Sequence, residues 1–162
     1  MTSRPRNPPG LALAAFLGLL LATSAALGQE VATDHLPDPR LTPGAWDTQA
    51  ITDDVCTPGY AHARRPSFAE SNALKHQVFA RYGIAWSEHG KYELDHLIPL
   101  ELGGSSTLEN LWPELWPEAI IKDALENRLH ALVCAGELSL HDAQMQISID
   151  WETCYRRYIG NL

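Results

Sequence analysis

Apolar residues recur at helical spacing in three parts of the chain, and capping signals accompany each of them. The first helix is predicted to begin after Ser67, because Ser67 and Glu70 have the spacing of a capping box. It is predicted to end at Gly83, a residue that readily adopts the left-handed conformation closing many helices. Its buried face is formed by residues four apart, namely Leu74, Val78 and Tyr82.

Two further helices are predicted towards the C-terminus. One starts near Pro117, which suits a first helical position, and ends at Gly136. Its apolar face comprises Ile121, Leu125, Leu129, Leu132 and Val133. The rest of its surface is assigned to Lys122, Asp123, Glu126, Asn127 and His130. The last helix begins at Ser139, runs towards Arg156 and Arg157, and buries Leu140, Ala143, Ile147 and Trp151.

Between the first two helices, residues 91–98 alternate in the manner of a β-strand. One side of this strand carries Tyr92, Leu94, His96 and Ile98, and the other carries Glu93, Asp95 and Leu97. Residues 103–106 are predicted to form a loop, and residues 110–113 are predicted to begin a short return strand or a turn. The order helix, strand, loop, strand, helix, helix predicts a small α+β domain.

The N-terminus predicts a signal peptide over residues 1–28. Arg4 and Arg6 precede an apolar run from Leu11 to about Ala22, and cleavage after Gly28 places small residues at the required positions. The apolar run is shorter than the roughly 20 residues of a spanning helix, although a retained or lipid-associated N-terminus is the alternative. Residues 29–55 predict an extended, poorly ordered lead-in, and residues 56–162 the folded domain. We therefore expect a periplasmic or secreted protein without stable membrane association after cleavage.

Charge and cysteine content modify this picture. The formal charge of −8 becomes about −10 once Arg4 and Arg6 are lost with the signal peptide. Because nucleic-acid affinity comes mainly from Lys and Arg, such a partner requires a local basic patch. Candidates for this patch are Arg64, Arg65, Lys75, Arg81, Lys91, Arg128, Arg156 and Arg157. In an oxidising compartment, Cys56, Cys134 and Cys154 predict one disulfide and one free thiol, without indicating the pairing.

The residues with the clearest chemistry are Asp95 and His96. Neighbours on a strand point in different directions, so the carboxylate can hold a divalent cation while the imidazole faces the space beside it. An imidazole there can take a proton from water, because its ordinary pKa lies near neutral pH. The cation would neutralise charge on a scissile phosphate. An asparagine in the following loop can orient the imidazole, and another ligand must come from the helix packed on the strand.

The pattern E-x-D-H-x-I-P-x-x-x-G-G from Glu93 to Gly104, followed by Asn110-Leu111 and a polar helix, resembles the HNH endonucleases. The resemblance spans Tyr92 to His130 and implies a ββα-metal core of strand, loop, strand and helix, with additional flanking helices. It implies a metal-dependent endonuclease acting on the phosphodiester bonds of nucleic acid, DNA in preference to RNA. Mg²⁺ or Mn²⁺ is the implied metal, and Zn²⁺ is an option if His130 is a ligand.

The resemblance also implies roles for individual residues. His96 would be the general base, Asp95 a metal ligand, and Asn110 the residue that braces the loop and the His96 ring. The family's last metal-binding position falls on Ala119, which has no ligand atom, and an insertion at residues 112–117 displaces it. Asn127 is the preferred replacement, with Asp123 and His130 as alternatives. Independently of the resemblance, the basic pair Arg64–Arg65 makes Arg65 the candidate for contact with the substrate phosphate.

Two other hypotheses about function compete with that of an endonuclease. The first is an HNH-like module that keeps the motif for metal binding or stability without useful turnover; the negative charge and the displaced helix ligand favour it. The second is an interaction protein of the cell envelope in which the Asp95–His96 pair is incidental. The sequence does not predict whether the nucleic acid is single- or double-stranded, nor the oligomeric state of the protein.

Overall fold

The computed structural model describes Met1 and residues 36–162, so the predicted signal peptide lies outside the described residues, apart from Met1. The helices, in chain order, are α1 (Thr52–Val55), α2 (Tyr60–Arg64), α3 (Phe68–Tyr82), α4 (Trp116–Cys134), α5 (Leu140–Ile149) and α6 (Trp151–Tyr158). The strands are β1 (Tyr92–His96) and β2 (Leu111–Leu115), and short 3-10 helices cover Trp86–Lys91 and Leu100–Leu102. The arrangement is α+β, as predicted. Of the helices described, none is long and apolar enough to cross a membrane.

The capping residues of α3 act as their spacing predicts. The Ser67 hydroxyl accepts the Glu70 backbone N–H, and the Glu70 carboxylate accepts the Ser67 backbone N–H at 2.9 Å. Gly83 closes the helix with φ of 68°, in the left-handed region that favours glycine. Val78 is buried, and Leu74 and Tyr82 are half-buried, so the predicted face packs inward.

The strands and α4 form a continuous β–loop–β–helix unit. β1 and β2 pair antiparallel, with Asp95 opposite Trp112 and Glu93 opposite Glu114. α4 follows β2 directly, so the helix packs back onto the strands. The core between them and the C-terminal helices includes Leu97, Ile98, Leu102, Leu125, Leu129, Ile147 and Trp151, whose removal from water supplies the main driving force for folding.

The buried face of α4 differs from the predicted one at its N-terminal end. Ile121 is 37% exposed, whereas Ala119 and Lys122 are buried. Lys122, which the sequence places on the polar surface, lies three residues before Leu125 and seven before Leu129, on the same helical stripe. The assignment of Lys122 to the surface is therefore wrong, because its ammonium finds acidic partners inside.

The predicted third helix is divided into α5 and α6. Asp150 adopts an extended conformation between them, and its carboxylate accepts the Thr153 backbone N–H at 2.9 Å. Aspartate is a favoured N-cap, so this residue ends one helix and starts the next. The predicted burial of Leu140, Ala143, Ile147 and Trp151 is confirmed.

From Leu36 onward the lead-in is packed against the domain, although its composition predicts poor order. The Thr42 hydroxyl is buried, lies 2.7 Å from the Tyr82 hydroxyl and donates to the Leu111 carbonyl at 3.0 Å. Trp46 forms an isolated β-bridge with Gly104, the glycine that follows the 3-10 turn. These long-range contacts supply the order that the local sequence does not.

A disulfide joins Cys56, at the end of α1, to Cys134, at the end of α4, and Cys154 is a buried free thiol. The prediction of one disulfide and one leftover thiol is confirmed. The bond closes a sequence separation of 78 residues and thereby restricts the unfolded chain. It is compatible with an oxidising, extracytoplasmic compartment.

Candidate functional site

A small cleft of about 90 Å³ lies beside β1 and the N-terminal half of α4. Its lining includes five acidic residues, Glu93, Asp95, Glu101, Asp123 and Glu126, together with His96 and Arg65. We call this space the acidic cleft. The fold therefore gathers carboxylates from the strand, the following loop and the helix around the predicted Asp95–His96 pair.

The side chain that faces Asp95 from α4 is Lys122. Its ammonium donates to Asp95 Oδ2 at 2.6 Å, to the His96 carbonyl at 2.8 Å and to the Glu126 carboxylate. All three donors of the ammonium are therefore used. Burial alone would lower the pKa of Lys122, but the surrounding carboxylates outweigh burial and raise it, so the ammonium stays charged. Asp95 Oδ2 also accepts the Trp112 indole N–H at 3.1 Å.

For the acidic side chains around Lys122, burial raises the pKa and the Lys122 charge lowers it. Burial raises the pKa of Asp95, but the Lys122 charge outweighs burial and lowers it overall. Burial raises the pKa of Glu126 to about 8 and, together with the Asp95 charge, the pKa of Glu114 to about 10. Because Glu114 is fully buried and holds its proton at neutral pH, it adds no negative charge beside Asp95; among the described residues neither of its carboxyl oxygens has a hydrogen-bond partner.

This protonation predicts a pH-dependent effect of Glu114→Gln. The folded chain holds a proton on Glu114 between its ordinary value of 4.5 and about 10, so the free energy of unfolding falls as pH rises across that range. Glutamine has no such proton to lose. We expect the variant to exceed wild type in urea-unfolding free energy by about 1 kcal/mol or more at pH 9, and to match it near pH 4.5. Exposed Glu137→Gln serves as the control, and parallel pH profiles for E114Q and wild type would contradict the assignment.

His96 is half-buried at the junction of β1 and the loop. Its Nε2 lies 2.9 Å from the Ser106 hydroxyl, and among the described residues its Nδ1 has no hydrogen-bond partner. Burial lowers the pKa of His96 to about 4, although the Asp95 charge acts in the opposite direction. The ring is therefore neutral at physiological pH and carries a lone pair that can accept a proton.

Asn110 is buried and braces the loop between the strands. Its Oδ1 accepts the Ile98 backbone N–H at 2.9 Å, and its Nδ2 donates at 2.9 Å to the carbonyls of both Ile98 and Ser105. The hydrogen-bond partner of the His96 ring is not Asn110 but Ser106, which follows Ser105 in the loop. Asn110 thus positions the segment that holds the ring.

The three helix residues considered as metal ligands have different surroundings. Asp123 lines the acidic cleft. Asn127 is exposed and donates to the Asp123 carbonyl at 2.7 Å, and it does not line the cleft. His130 lies 3.0 Å from the Val55 carbonyl, next to the disulfide. The fold therefore brings Asp123 to Asp95 and His96, and leaves Asn127 and His130 elsewhere on α4.

A second group of ligand atoms surrounds the disulfide. One atom each of Cys56, His130 and Cys134 lie within 4.8 Å of one another, a spacing that can hold a metal ion. Metal ligation by cysteine needs a free thiolate, however, and both sulfurs are joined to each other. In the oxidised protein this group is therefore a covalent crosslink beside a histidine.

The acidic cleft offers oxygen atoms that fit a hard divalent cation. Glu101 Oε1 is buried without a hydrogen-bond partner in the described structure. Burial raises the pKa of Glu93, Glu101 and Asp123, and neighbouring carboxylates raise each of them further. The acidic side chains of the cleft outnumber the two cationic side chains beside them, Arg65 and Lys122. Among the described residues, no three of these carboxylates bring ligand atoms within 4.8 Å of one another as the cysteine–histidine group does, so a cation in this cleft would have to keep several waters and take one or two carboxylates.

Sequence reasoning missed Lys122, Glu114 and Glu126 as members of the site. The available signal was the position of Lys122 within the apolar stripe of α4, where a charged residue needs a buried partner. Comparisons with protein-family models, curated proteins and solved structures give no match to this chain.

Proposed function

We propose that the protein is a metal-dependent hydrolase of phosphodiester bonds in nucleic acid, built on an HNH-type ββα core. The observation that carries the proposal is the position of His96. A neutral imidazole with a free Nδ1 lies in the wall of a cleft formed by carboxylates from β1, the loop and α4. A general base beside an oxygen-rich cation site is the arrangement that phosphodiester hydrolysis by activated water requires.

In this proposal His96 Nε2 donates to the Ser106 hydroxyl, and Nδ1 takes the proton of the attacking water. Lys122 and Trp112 hold Asp95 through Oδ2, and Oδ1 is the atom that would bind the metal. Asp123 and Glu101 are the proposed further ligands from the same cleft. When bound, Mg²⁺ or Mn²⁺ stabilises negative charge on the phosphate and the leaving oxygen. Arg65, which also lines the cleft, is proposed to contact the substrate phosphate.

The proposed compartment is the periplasm or the cell exterior. Two observations support export: the signal-peptide pattern of residues 1–28 and the Cys56–Cys134 disulfide. A nuclease in that compartment acts outside the cytoplasm.

A catalytically weak metal-binding or interaction module is the second candidate. The observation that favours it is the Lys122 ammonium, which already neutralises the Asp95 carboxylate that a metal would otherwise bind. In such a module the ββα unit would be held by the buried ion pair and would lack turnover.

The deciding experiment measures metal-dependent cleavage and metal-dependent stability in the same samples. The full chain is incubated with labelled oligonucleotides in Mg²⁺, Mn²⁺, Zn²⁺ or EDTA, and its melting temperature is recorded in each. We expect cleavage with Mg²⁺ or Mn²⁺ that EDTA abolishes, and a rise in melting temperature of a few degrees, corresponding to about 1.4 kcal/mol at ten times Kd.

The matched variants are Asp123→Asn in the cleft and Asp53→Asn, an exposed aspartate of α1. D123N is expected to reduce both the cleavage and the metal-induced rise, and D53N neither. A metal-induced rise without cleavage supports the binding module. Neither effect with any metal rejects the proposed enzyme.

A further inference from the structure

A second groove, of about 560 Å³, adjoins the acidic cleft. Aromatic and aliphatic side chains dominate its lining, among them Phe68, Leu74, Trp86, Leu94, Leu111 and Trp116. We call it the aromatic groove. Building on the proposed nuclease function, we propose that the substrate is a single-stranded nucleic acid whose bases stack on Phe68 and Trp116 in this groove while its phosphate reaches His96.

The two spaces meet at the proposed general base. Arg65, Glu93, Leu94 and His96 line both the acidic cleft and the aromatic groove. A chain lying in the groove therefore has its backbone beside the Arg65 guanidinium and the His96 ring. Bases occupy the apolar side of this junction, and the phosphate occupies the polar side.

Two rings of the groove present open faces to solvent. Phe68, at the start of α3, is 89% exposed, and Trp116, at the start of α4, is 45% exposed. Trp86 differs because its ring is already stacked on the rings of His76 and His89, with centroids 3.5 and 4.7 Å away. Trp86 thus forms a wall, and Phe68 and Trp116 are the available stacking surfaces. Each base offers a flat face to such a ring irrespective of sequence.

Charge favours a single strand over a duplex. The chain has a net charge of −8, and of the described residues that line the groove only Arg65 and Lys75 are cationic. Lys75 already donates to the carbonyls of His89 and Tyr92. A duplex hides its base faces and binds chiefly through phosphates, which this surface serves poorly. A single strand exposes its bases, so stacking supplies affinity that does not depend on positive charge.

The test is binding in EDTA, where cleavage cannot interfere, with a labelled 12-nucleotide strand alone or within a duplex. Fluorescence anisotropy should show at least tenfold tighter binding of the single strand to the full chain. Because one or two cations contact phosphate, log K should fall against log salt with a slope of about −1. Equal binding of the two forms, or tighter binding of the duplex, overturns the inference.

Variants separate stacking from simple apolar contact. Phe68→Leu and Trp116→Leu should each weaken single-strand binding about tenfold, whereas Phe68→Trp should retain it. Ile149→Ala is the control, since Ile149 is 73% exposed and lines a different groove. Wild-type affinity in both leucine variants overturns the inference.

Hydrolysis of bis(4-nitrophenyl) phosphate distinguishes this failure from failure of the proposed function. This small diester needs no base stacking. If it is hydrolysed with Mg²⁺ or Mn²⁺ but strand preference is absent, only the substrate inference falls. If single strands bind through Phe68 and Trp116 but neither they nor the small diester are cleaved, the nuclease proposal falls, and with it the assignment of the strand as a substrate.

Discussion

Replacing Lys122 by methionine is expected to lower the free energy of unfolding by about 3–5 kcal/mol at pH 7. The Lys122 side chain is 1% exposed, and its ammonium is the shared partner of Asp95 and Glu126. Methionine nearly matches the aliphatic stem but leaves the Asp95 carboxylate buried without a counter-charge and removes the hydrogen bond to the Glu126 carboxyl. Urea denaturation of wild type and K122M measures the loss directly.

Lys91→Met is the matched control, because Lys91 is 66% exposed and pairs with Glu88 at the surface. Its expected effect is within about 0.5 kcal/mol, the usual range for a surface substitution. The cost of K122M should also be smaller at pH 5 than at pH 8. Without the ammonium, the folded-state pKa of Asp95 is no longer held down and that of Glu126 rises further, so protonation at low pH relieves the uncompensated charge. Equal losses in K122M and K91M would show that the buried cluster does not hold the fold.

His96→Ala is expected to reduce kcat/KM for metal-dependent cleavage by about 10²–10⁴-fold, the usual contribution of general acid–base catalysis. The ring accepts a proton at Nδ1 in the proposed mechanism, and alanine removes that lone pair. The fold should persist, since the half-buried ring makes a single side-chain hydrogen bond, to Ser106. Initial rates on a labelled single strand, with far-ultraviolet circular dichroism of both proteins, measure the two quantities.

His62→Ala controls for the loss of a histidine, because His62 is exposed on α2 and lines neither the acidic cleft nor the aromatic groove. The pH profile gives a second readout. With its pKa lowered to about 4, His96 should lose activity as a base only near that pH, well below the ordinary value of 6.5. Unchanged cleavage in H96A, with the same metal dependence as wild type, would remove His96 from the mechanism.

The metal ligand on α4 is the part of the site that the sequence predicts least well, and the contacts of Lys122 explain why. In a buried ion pair the geometry must be satisfied on both sides, or the desolvation cost exceeds the attraction. Here Asp95 accepts hydrogen bonds from the Lys122 ammonium and the Trp112 indole, and Glu114 keeps its proton and adds no second negative charge. Asp95 is therefore both the proposed metal ligand and the anchor of α4 on β1. A variant at Asp95 would change stability and metal binding together, which is why Asp123 is the better probe of the metal.

Local signals were sufficient for several elements. The capping box of Ser67 and Glu70 and the stop at Gly83 predicted α3. Alternation over residues 91–98 predicted β1, which spans Tyr92–His96, and Pro117 lies one residue after the first residue of α4, Trp116. These features depend on hydrogen bonds and burial within a few residues, so the sequence itself determines them. The sequence alone also revealed the Asp95–His96 motif, because the two residues are adjacent in the chain.

Other features were decided only by contacts between distant segments. The pairing of Cys56 with Cys134, the packing of residues from Leu36 onward and the burial of Lys122 each join parts of the chain far apart in sequence. Periodicity predicts which residues are buried, but it does not predict which side chains they contact in the folded protein. A lysine within an apolar stripe is a solvated charge until a fold brings carboxylates to it. The tertiary structure therefore decided that α4 presents Lys122 and Asp123 to Asp95, and that aromatic rings from α3 and α4 border His96.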